Sequence, residues 1–232
     1  MGTAETGTAE MNTAAKSSPI QNASIAASDI TGLILAGGRG TRMGQVDKGL
    51  QALHGKPLYE HVLRRLQAQV GQVIINANQN LAQYQSLGVA VWPDQIDGFA
   101  GPLAGMAVGL QHCNSPYLLT VPCDSPFLPL DLAPRLSLAI QTEQADIAVA
   151  VTQEMRDGQA YTQEQNVFCL IKTNVLPHLN HFIASGGRKI SAWYADLALA
   201  QVMFEDAQAF RNLNTLSELA QAELDLSSQP LP

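Results

Sequence analysis

The stretch LAGGRGTRMGQVDKGL, Leu35–Leu50, gathers five glycines (Gly37, Gly38, Gly40, Gly44, Gly49) and three cations (Arg39, Arg42, Lys48). Glycines let backbone N–H groups approach an anion with no Cβ in the way. Guanidinium and ammonium groups then add charge-assisted hydrogen bonds to phosphate oxygens. The types and spacing suit a polyphosphate cradle. A flexible turn with solvated cations is the competing reading, but so many glycines between ordered elements are destabilising unless they are used. A P-loop is excluded, because Pro57 follows the single Gly-Lys pair, Gly55-Lys56, where a hydroxyl belongs. A G-x-G-x-x-G fingerprint fits imperfectly, since Met43 stands at the third glycine position after Gly38 and Gly40.

Polyphosphate chemistry needs a divalent cation, and magnesium takes few protein carboxylates while keeping several waters. Asp124, in VPCDSPF, stands just past an apolar run and meets that need. Its alternative is a helix cap ahead of Pro129. Asn76 and Asp94 end two further apolar runs, where either residue also suits a turn. Asp47 beside Lys48 suggests pairing within the loop, with Arg42 or Lys48. His178 and His181 lack an evident third ligand and read as surface residues.

Such residues must be held by a frame. The chain has 232 residues, 46% of them hydrophobic, enough for a substantial core. Its net charge of −7 argues against a general nucleic-acid binder. Six of its thirteen cations fall between Arg39 and Arg65, a local patch fitted to a small anion. Three widely spaced cysteines, Cys113, Cys123 and Cys169, fit buried thiols in a reducing cytoplasm rather than a disulfide framework. No apolar run reaches membrane-spanning length, and no secretory signal opens the chain.

Residues 1–28, rich in Thr, Ala and Ser, read as a disordered tail. Residues 29–226 read as one domain, with 227–232 a flexible end. Strands are expected at ITGLILAGG, QVIINAN, VAVWPD, PYLLTVPCD, ADIAVAVT, NVFCLIK and LAQVMF. Helical spacing recurs after Pro57, at 79–87, in LAGMAVGLQHC and DLAPRLSLAIQ, and in three later segments. Alternation of this kind predicts an α/β fold, a Rossmann-like, mostly parallel sheet with helices on both faces. Ligands of such sheets lie beyond the carboxyl ends of the strands, where the glycine loop begins. Trp92 and Trp193 read as packing residues.

The pattern L-A-G-G-x-G-x-R-M-G-x-x-D-K-G-L resembles the signature loop of the molybdenum cofactor guanylyltransferases, within the nucleotidyltransferases of glycosyltransferase-A-like fold. The resemblance covers about residues 30–225 and extends to GKPL, NAN, GPLAGM, PCDSPFLP and NLNT, in order. Related cytidylyltransferases carry Ala at the position of Gly37, so the glycine implies guanine. The resemblance further implies that Leu35, Ala36, Gly37, Gly38, Asn76 and Asp94 contact the nucleotide. It implies that Arg42 and Lys48 meet its phosphates, and that Asp124 contacts nucleotide and metal. Asn212, Asn214, Arg188 and Lys189 would face a pterin, although the last two also suit a solvated surface pair. One departure stands out: where the family often has a His-Pro-Thr-like stretch, this chain has TQEQNVF, Thr162–Phe168.

The expectation is transfer of GMP from GTP to Mo-molybdopterin with release of diphosphate, using Mg²⁺, with Mn²⁺ as a substitute. The pterin's terminal phosphate would attack the α-phosphorus in line, so no general base is demanded. Expected partners are GTP, Mo-molybdopterin and other proteins of molybdenum cofactor biosynthesis, with no nucleic acid or membrane. Two alternatives stay open. One is another nucleotidyltransferase, using CTP or acting on a sugar phosphate; the other is a non-catalytic nucleotide-binding module.

Overall fold

The computed structural model describes residues 24–37, 47–95, 101–156 and 158–227. Gly38, Arg39, Arg42, most of the expected N-terminal tail and residues 228–232 lie outside the described residues. In chain order the elements are β1 (Ile30–Leu35), β2 (Ala52–Leu53), β3 (Lys56–Pro57), α1 (Leu58–Gln67), β4 (Gln72–Asn76), α2 (Leu81–Gln85) and β5 (Ala90–Trp92). There follow α3 (Pro102–His112), β6 (Tyr117–Pro122), α4 (Leu132–Glu143), β7 (Ile147–Arg156) and β8 (Gln159–Lys172). The chain continues through α5 (Leu176–Ala184), α6 (Ile190–Trp193), β9 (Leu199–Phe204) and α7 (Leu216–Ser227). Ile25, ahead of β1, packs against the core, so order begins before the expected boundary at residue 29.

Seven strands form one sheet in the order β5-β4-β1-β6-β8-β7-β9, while β2 and β3 make a separate two-residue ladder. All pairings in the large sheet are parallel except those of β8, which runs antiparallel to both β6 and β7. The expected mostly parallel sheet is thus observed, with one reversed strand. Period-two alternation divides the central strands between two cores. Ile34, Ile75 and Leu119 face α1 and α4, meeting Val62, Leu66, Leu136 and Ile140. Leu33, Ile74 and Leu118 face α3, α5 and α6, meeting Met106, Leu110, Leu179, Ile183 and Trp193.

Two details shape the edge where parallel strands end. The carboxyl ends of β1, β4, β5 and β6 all open there, which brings Gly37, Asn76, Asp94 and Asp124 to one rim. The β7–β8 hairpin extends beyond the strands expected from ADIAVAVT and NVFCLIK, because its outer half is polar and carries no apolar alternation. Within it the register jumps. Val149 pairs with Cys169 but Val151 pairs with Glu164, so residues 165–168 bulge out of the ladder.

Trp193 is fully buried, and its indole N–H donates to His178 Nδ1 at 3.1 Å. His178 is therefore a hydrogen-bond acceptor for the core and not merely a surface residue. Removing a buried indole leaves a large cavity. Trp193→Ala is expected to lower unfolding stability by about 3–5 kcal/mol, read as a shifted urea midpoint.

Candidate active site

Asp124 follows β6 by two residues, and its side chain is about 10% exposed. It does not cap α4, whose N-cap is Asp131. Its Oδ1 accepts Asn212 Nδ2 at 2.6 Å, and Lys48 Nζ lies 3.7 Å from Oδ2. Lys48 Nζ also donates to Asn214 Oδ1. The main chain fastens the same junction, with Leu213 N–H donating to Asp124 O at 2.9 Å. Four expected residues, Lys48, Asp124, Asn212 and Asn214, thus meet in one cluster. Burial pushes the Asp124 carboxyl above the ordinary aspartate range, against the opposing pull of Asn212 and Lys48.

The turn that carries the lysine is held by Asp47 and by two residues outside the motif, Asn80 and Tyr84. Asp47 is buried and caps the 3-10 turn Lys48–Leu50 through Gly49 N–H at 3.2 Å. It accepts further hydrogen bonds from Tyr84 Oη (2.7 Å) and Asn80 Nδ2 (3.1 Å). Asp47 therefore turns inward and not toward Lys48, one of its two expected partners; the other, Arg42, lies outside the described residues. Gly49 is required by space: a Cβ there would lie 2.5 Å from Tyr84 Oη and 3.2 Å from Cys123 Sγ. Burial raises the Cys123 thiol well above its ordinary value, with Asp124 and Asp47 adding to the effect, so Cys123 is no nucleophile. On the other side, Glu218 accepts from Asn214 N–H (2.7 Å) and Thr215 N–H (2.9 Å), while its own N–H donates to Thr215 Oγ1 (3.1 Å). This capping box starts α7 and fixes the Asn212–Asn214 loop.

A second polar group occupies the ends of β4 and β5. Asn76 is buried, and its Nδ2 donates to Asp94 Oδ1 at 2.8 Å and to Trp92 O at 3.2 Å. Asn78, which the sequence reading quoted within NAN without assigning it a role, donates to Asp94 Oδ2 and accepts Asp94 N–H, both at 2.8 Å. Residues i and i+2 share a strand face, so NAN contained the signal. Asn78 Nδ2 also reaches Gly37 O at 3.5 Å, and Ala36 N–H donates to Asn76 O at 2.8 Å. The Leu35–Gly37 backbone is thereby tied to the Asn76–Asp94 pair. Helix α3 lies close above: a Cβ on Gly105 would fall 2.3 Å from Asn76 Oδ1 and 2.5 Å from Leu35 Cδ2.

The second cationic pair is arranged differently. Arg188 Nη1 donates to Gly187 O (2.7 Å) and Ile183 O (3.1 Å), closing the end of α5, while Lys189 is exposed at the start of α6. Neither forms a hydrogen bond or ion pair with Asp124 or Asn212.

Chemically, the rim sets an ammonium and a desolvated carboxylate side by side, with bare backbone one strand along and an amide-braced carboxylate two to three strands along. The first pair suits phosphates and a cation, the second a nucleoside. Among the described residues no group of three His, Cys, Asp or Glu side chains could hold a metal. A single carboxylate nevertheless fits magnesium, which binds through one or two carboxylates together with substrate phosphates and water. A desolvated Asp124 also gains from a cation that stabilises its charge.

Residues 32–201 match the family model described as MobA-like NTP transferase domain. The molybdenum cofactor guanylyltransferase of Cupriavidus necator is 56% identical over 195 residues, covering 84% of this chain and 96% of that protein. The protein of the same name from Albidiferax ferrireducens is 55% identical over 206 residues, covering 86% and 98%. Among solved structures, molybdopterin-guanine dinucleotide biosynthesis protein A from Archaeoglobus fulgidus superposes with a TM-score of 0.67 at 22% identity, covering 86% of this chain and all of that one. A CMP:2-keto-3-deoxy-manno-octonic acid synthetase complexed with CTP superposes at 0.69 with 13% identity, covering 86% and 99%, a likeness of fold alone. Such agreement along most of both chains, on a nucleotidyltransferase fold, shows that this chain belongs to the molybdenum cofactor guanylyltransferase family.

Proposed function

We propose that this protein transfers GMP from GTP to Mo-molybdopterin, releasing diphosphate and forming Mo-molybdopterin guanine dinucleotide. The observation that carries this reading is the meeting of Lys48, Asp124, Asn212 and Asn214 beside the Gly37–Asn76–Asp94 rim. The Leu35–Gly37 backbone, continuing to Gly38, lies against the nucleotide. Asn76 and Asp94 contact the nucleoside, where a carboxylate held by two amides accepts from the guanine N–H and amino groups. Lys48, with Arg42, stabilises negative charge on the departing diphosphate. Asn212, Asn214 and Lys189 face the pterin side, whereas Arg188 serves chiefly to close the turn after α5.

The attacking group is a phosphate oxygen, already anionic, so the protein supplies orientation and charge stabilisation rather than a base. Asp124 would hold Mg²⁺ or Mn²⁺. When bound, the cation neutralises charge developing across the phosphates. The reading carries with it other molybdenum cofactor biosynthesis proteins as partners and a cytoplasmic setting. No described helix is long and apolar enough to cross a membrane.

The direct test is diphosphate release with each of the four nucleoside triphosphates, Mo-molybdopterin and Mg²⁺. GTP alone should support turnover and yield a guanine dinucleotide; preference for CTP or UTP would falsify the reading. Asp124→Asn gives a second test. Loss of the charged ligand is expected to lower turnover at least about 100-fold. The raised carboxyl value fixes the sign of the stability effect. In the folded state the charged form is disfavoured, so stability from this group is present below the unfolded pKa and lost as pH rises through the folded one. As pH falls from neutral toward the unfolded value and without nucleotide, the parent protein should therefore gain stability from this group, a gain that the Asn variant lacks. An equally active variant, or one whose melting follows pH as the parent's does, contradicts these roles.

A further inference from the structure

Asn80 and Tyr84 stand outside the glycine loop, yet both spend a polar atom on it. We propose that they are positioning residues for Lys48: by clamping the Asp47 carboxylate from α2 they set where the lysine ammonium meets the departing phosphates, a role that rests on the GMP transfer proposed above.

A lysine is a point charge on a flexible stem, so its place must be fixed at both ends. At its tip, Nζ donates to Asn214 Oδ1 and lies 3.7 Å from Asp124 Oδ2. At its root, Lys48 opens the 3-10 turn Lys48–Leu50, and the cap of that turn is Asp47. Asp47 Oδ1 accepts Gly49 N–H at 3.2 Å and Tyr84 Oη at 2.7 Å, and its Oδ2 accepts Asn80 Nδ2 at 3.1 Å. The buried carboxylate thus takes one donor from its own turn and two from residues 33 and 37 positions away.

The local structure at Asn80 serves this contact and not its own helix. Asn80 is the N-cap of α2, a place where asparagine ordinarily accepts a first-turn N–H from an extended conformation. Here it makes no side-chain cap and takes the left-handed conformation, with φ 54° and ψ 31°. A non-glycine residue in that region marks a position held by its surroundings. What holds it is the reach of its amide to Asp47.

Tyr84 is the rigid half of the clamp. It is fully buried, its ring meets that of Tyr59 edge to face with centroids 4.7 Å apart, and Tyr59 Oη donates to Gln83 O at 3.0 Å. Burial, with Cys123 and Asp47 adding to it, pushes the Tyr84 phenol well above its ordinary value, so the hydroxyl stays protonated and donates. The same stretch of chain carries Asn76 and Asn78, which hold Asp94. Residues 76–84 thus brace two carboxylates, Asp94 at the ends of β4 and β5 and Asp47 at the root of the lysine.

Tyr84→Phe keeps the ring and removes the donor, and Asn80→Gly keeps the left-handed backbone and removes the amide. In steady-state assays with GTP, Mo-molybdopterin and Mg²⁺, each should lower kcat about 5- to 20-fold with KM for GTP changed less than about threefold, since a displaced charge is felt in the transition state. The double variant should lose about 100-fold. Thermal melts should stay cooperative, with midpoints above the assay temperature. The deciding readout is a cycle with Lys48→Ala. Where the ammonium is absent, Tyr84→Phe and Asn80→Gly should each change single-turnover rates less than about twofold. A general loosening of the fold cuts the rate by the same factor with or without Lys48, and that result overturns the positioning role, as does an unchanged kcat in both single variants. Dinucleotide formation by the wild-type protein leaves the transfer reaction standing in either event. A wild-type protein that forms no dinucleotide from GTP overturns the transfer reaction itself, and the positioning role with it.

Discussion

A carboxylate withdrawn from water must be given donors and charge by its surroundings, or its ionised form becomes costly. Asp124 receives them from segments remote in sequence. Asn212 lies 88 residues away, and the Lys48–Asn214 hydrogen bond spans 166 residues. Each donor is secured in turn by a carboxylate of its own: Asp47 caps the turn that presents Lys48, and Glu218 caps the helix that follows Asn214. The rim is therefore an arrangement of capped ends gathered around one buried acid. Its geometry is set before any ligand arrives, which is the condition under which fixed charges stabilise reacting phosphates.

Close packing supports the Asn76–Asp94 end of the rim in the same way. The bare Cα of Gly105 lets α3 settle directly over Asn76 and Leu35, and Asn76 then braces Asp94. A methyl group at that single helical position would displace the amide, and through it the carboxylate. Gly49 plays the matching role under the lysine turn, against Tyr84 and Cys123. Packing density and polar geometry are here one constraint, because the small residues decide how near the functional groups can stand.

Apolar runs and their punctuation made every strand of the large sheet legible, since a run buried on both faces has few other places to go. The rim residues Asn76, Asp94 and Asp124 were visible for a related reason, since each sits where an apolar run stops, while Lys48 stood out as a cation within the glycine-rich loop. Direction was harder to read. Nothing in NVFCLIK marks β8 as antiparallel, and its polar outer half has no alternation to betray it. The pairing of Asp47 with Lys48 is not observed, because sequence adjacency says little about contact, whereas Tyr84, which donates to Asp47, lies 37 residues on; Arg42, the other partner expected, lies outside the described residues. The Thr215–Glu218 capping box was written in the sequence as T-x-x-E and passed over, because its consequence for Asn214 emerges only with the loop folded against Asp124.

The wiring of Lys48 to Asn214 has an outcome in time as well as in space. A ribosome delivers Lys48 and Asp124 long before Asn212 and Asn214, so a nascent chain holding the first two groups still lacks the amides that position them. Contacts this distant along the chain form late in folding, since closing long loops costs entropy before the contact rewards it. Until residues 212–214 emerge, the acid stands without its amide donor and the Lys48 ammonium without its tether. Assembly of the cluster is thereby tied to synthesis beyond residue 214, and a truncated translation product ending before residue 212 lacks the amides that complete it.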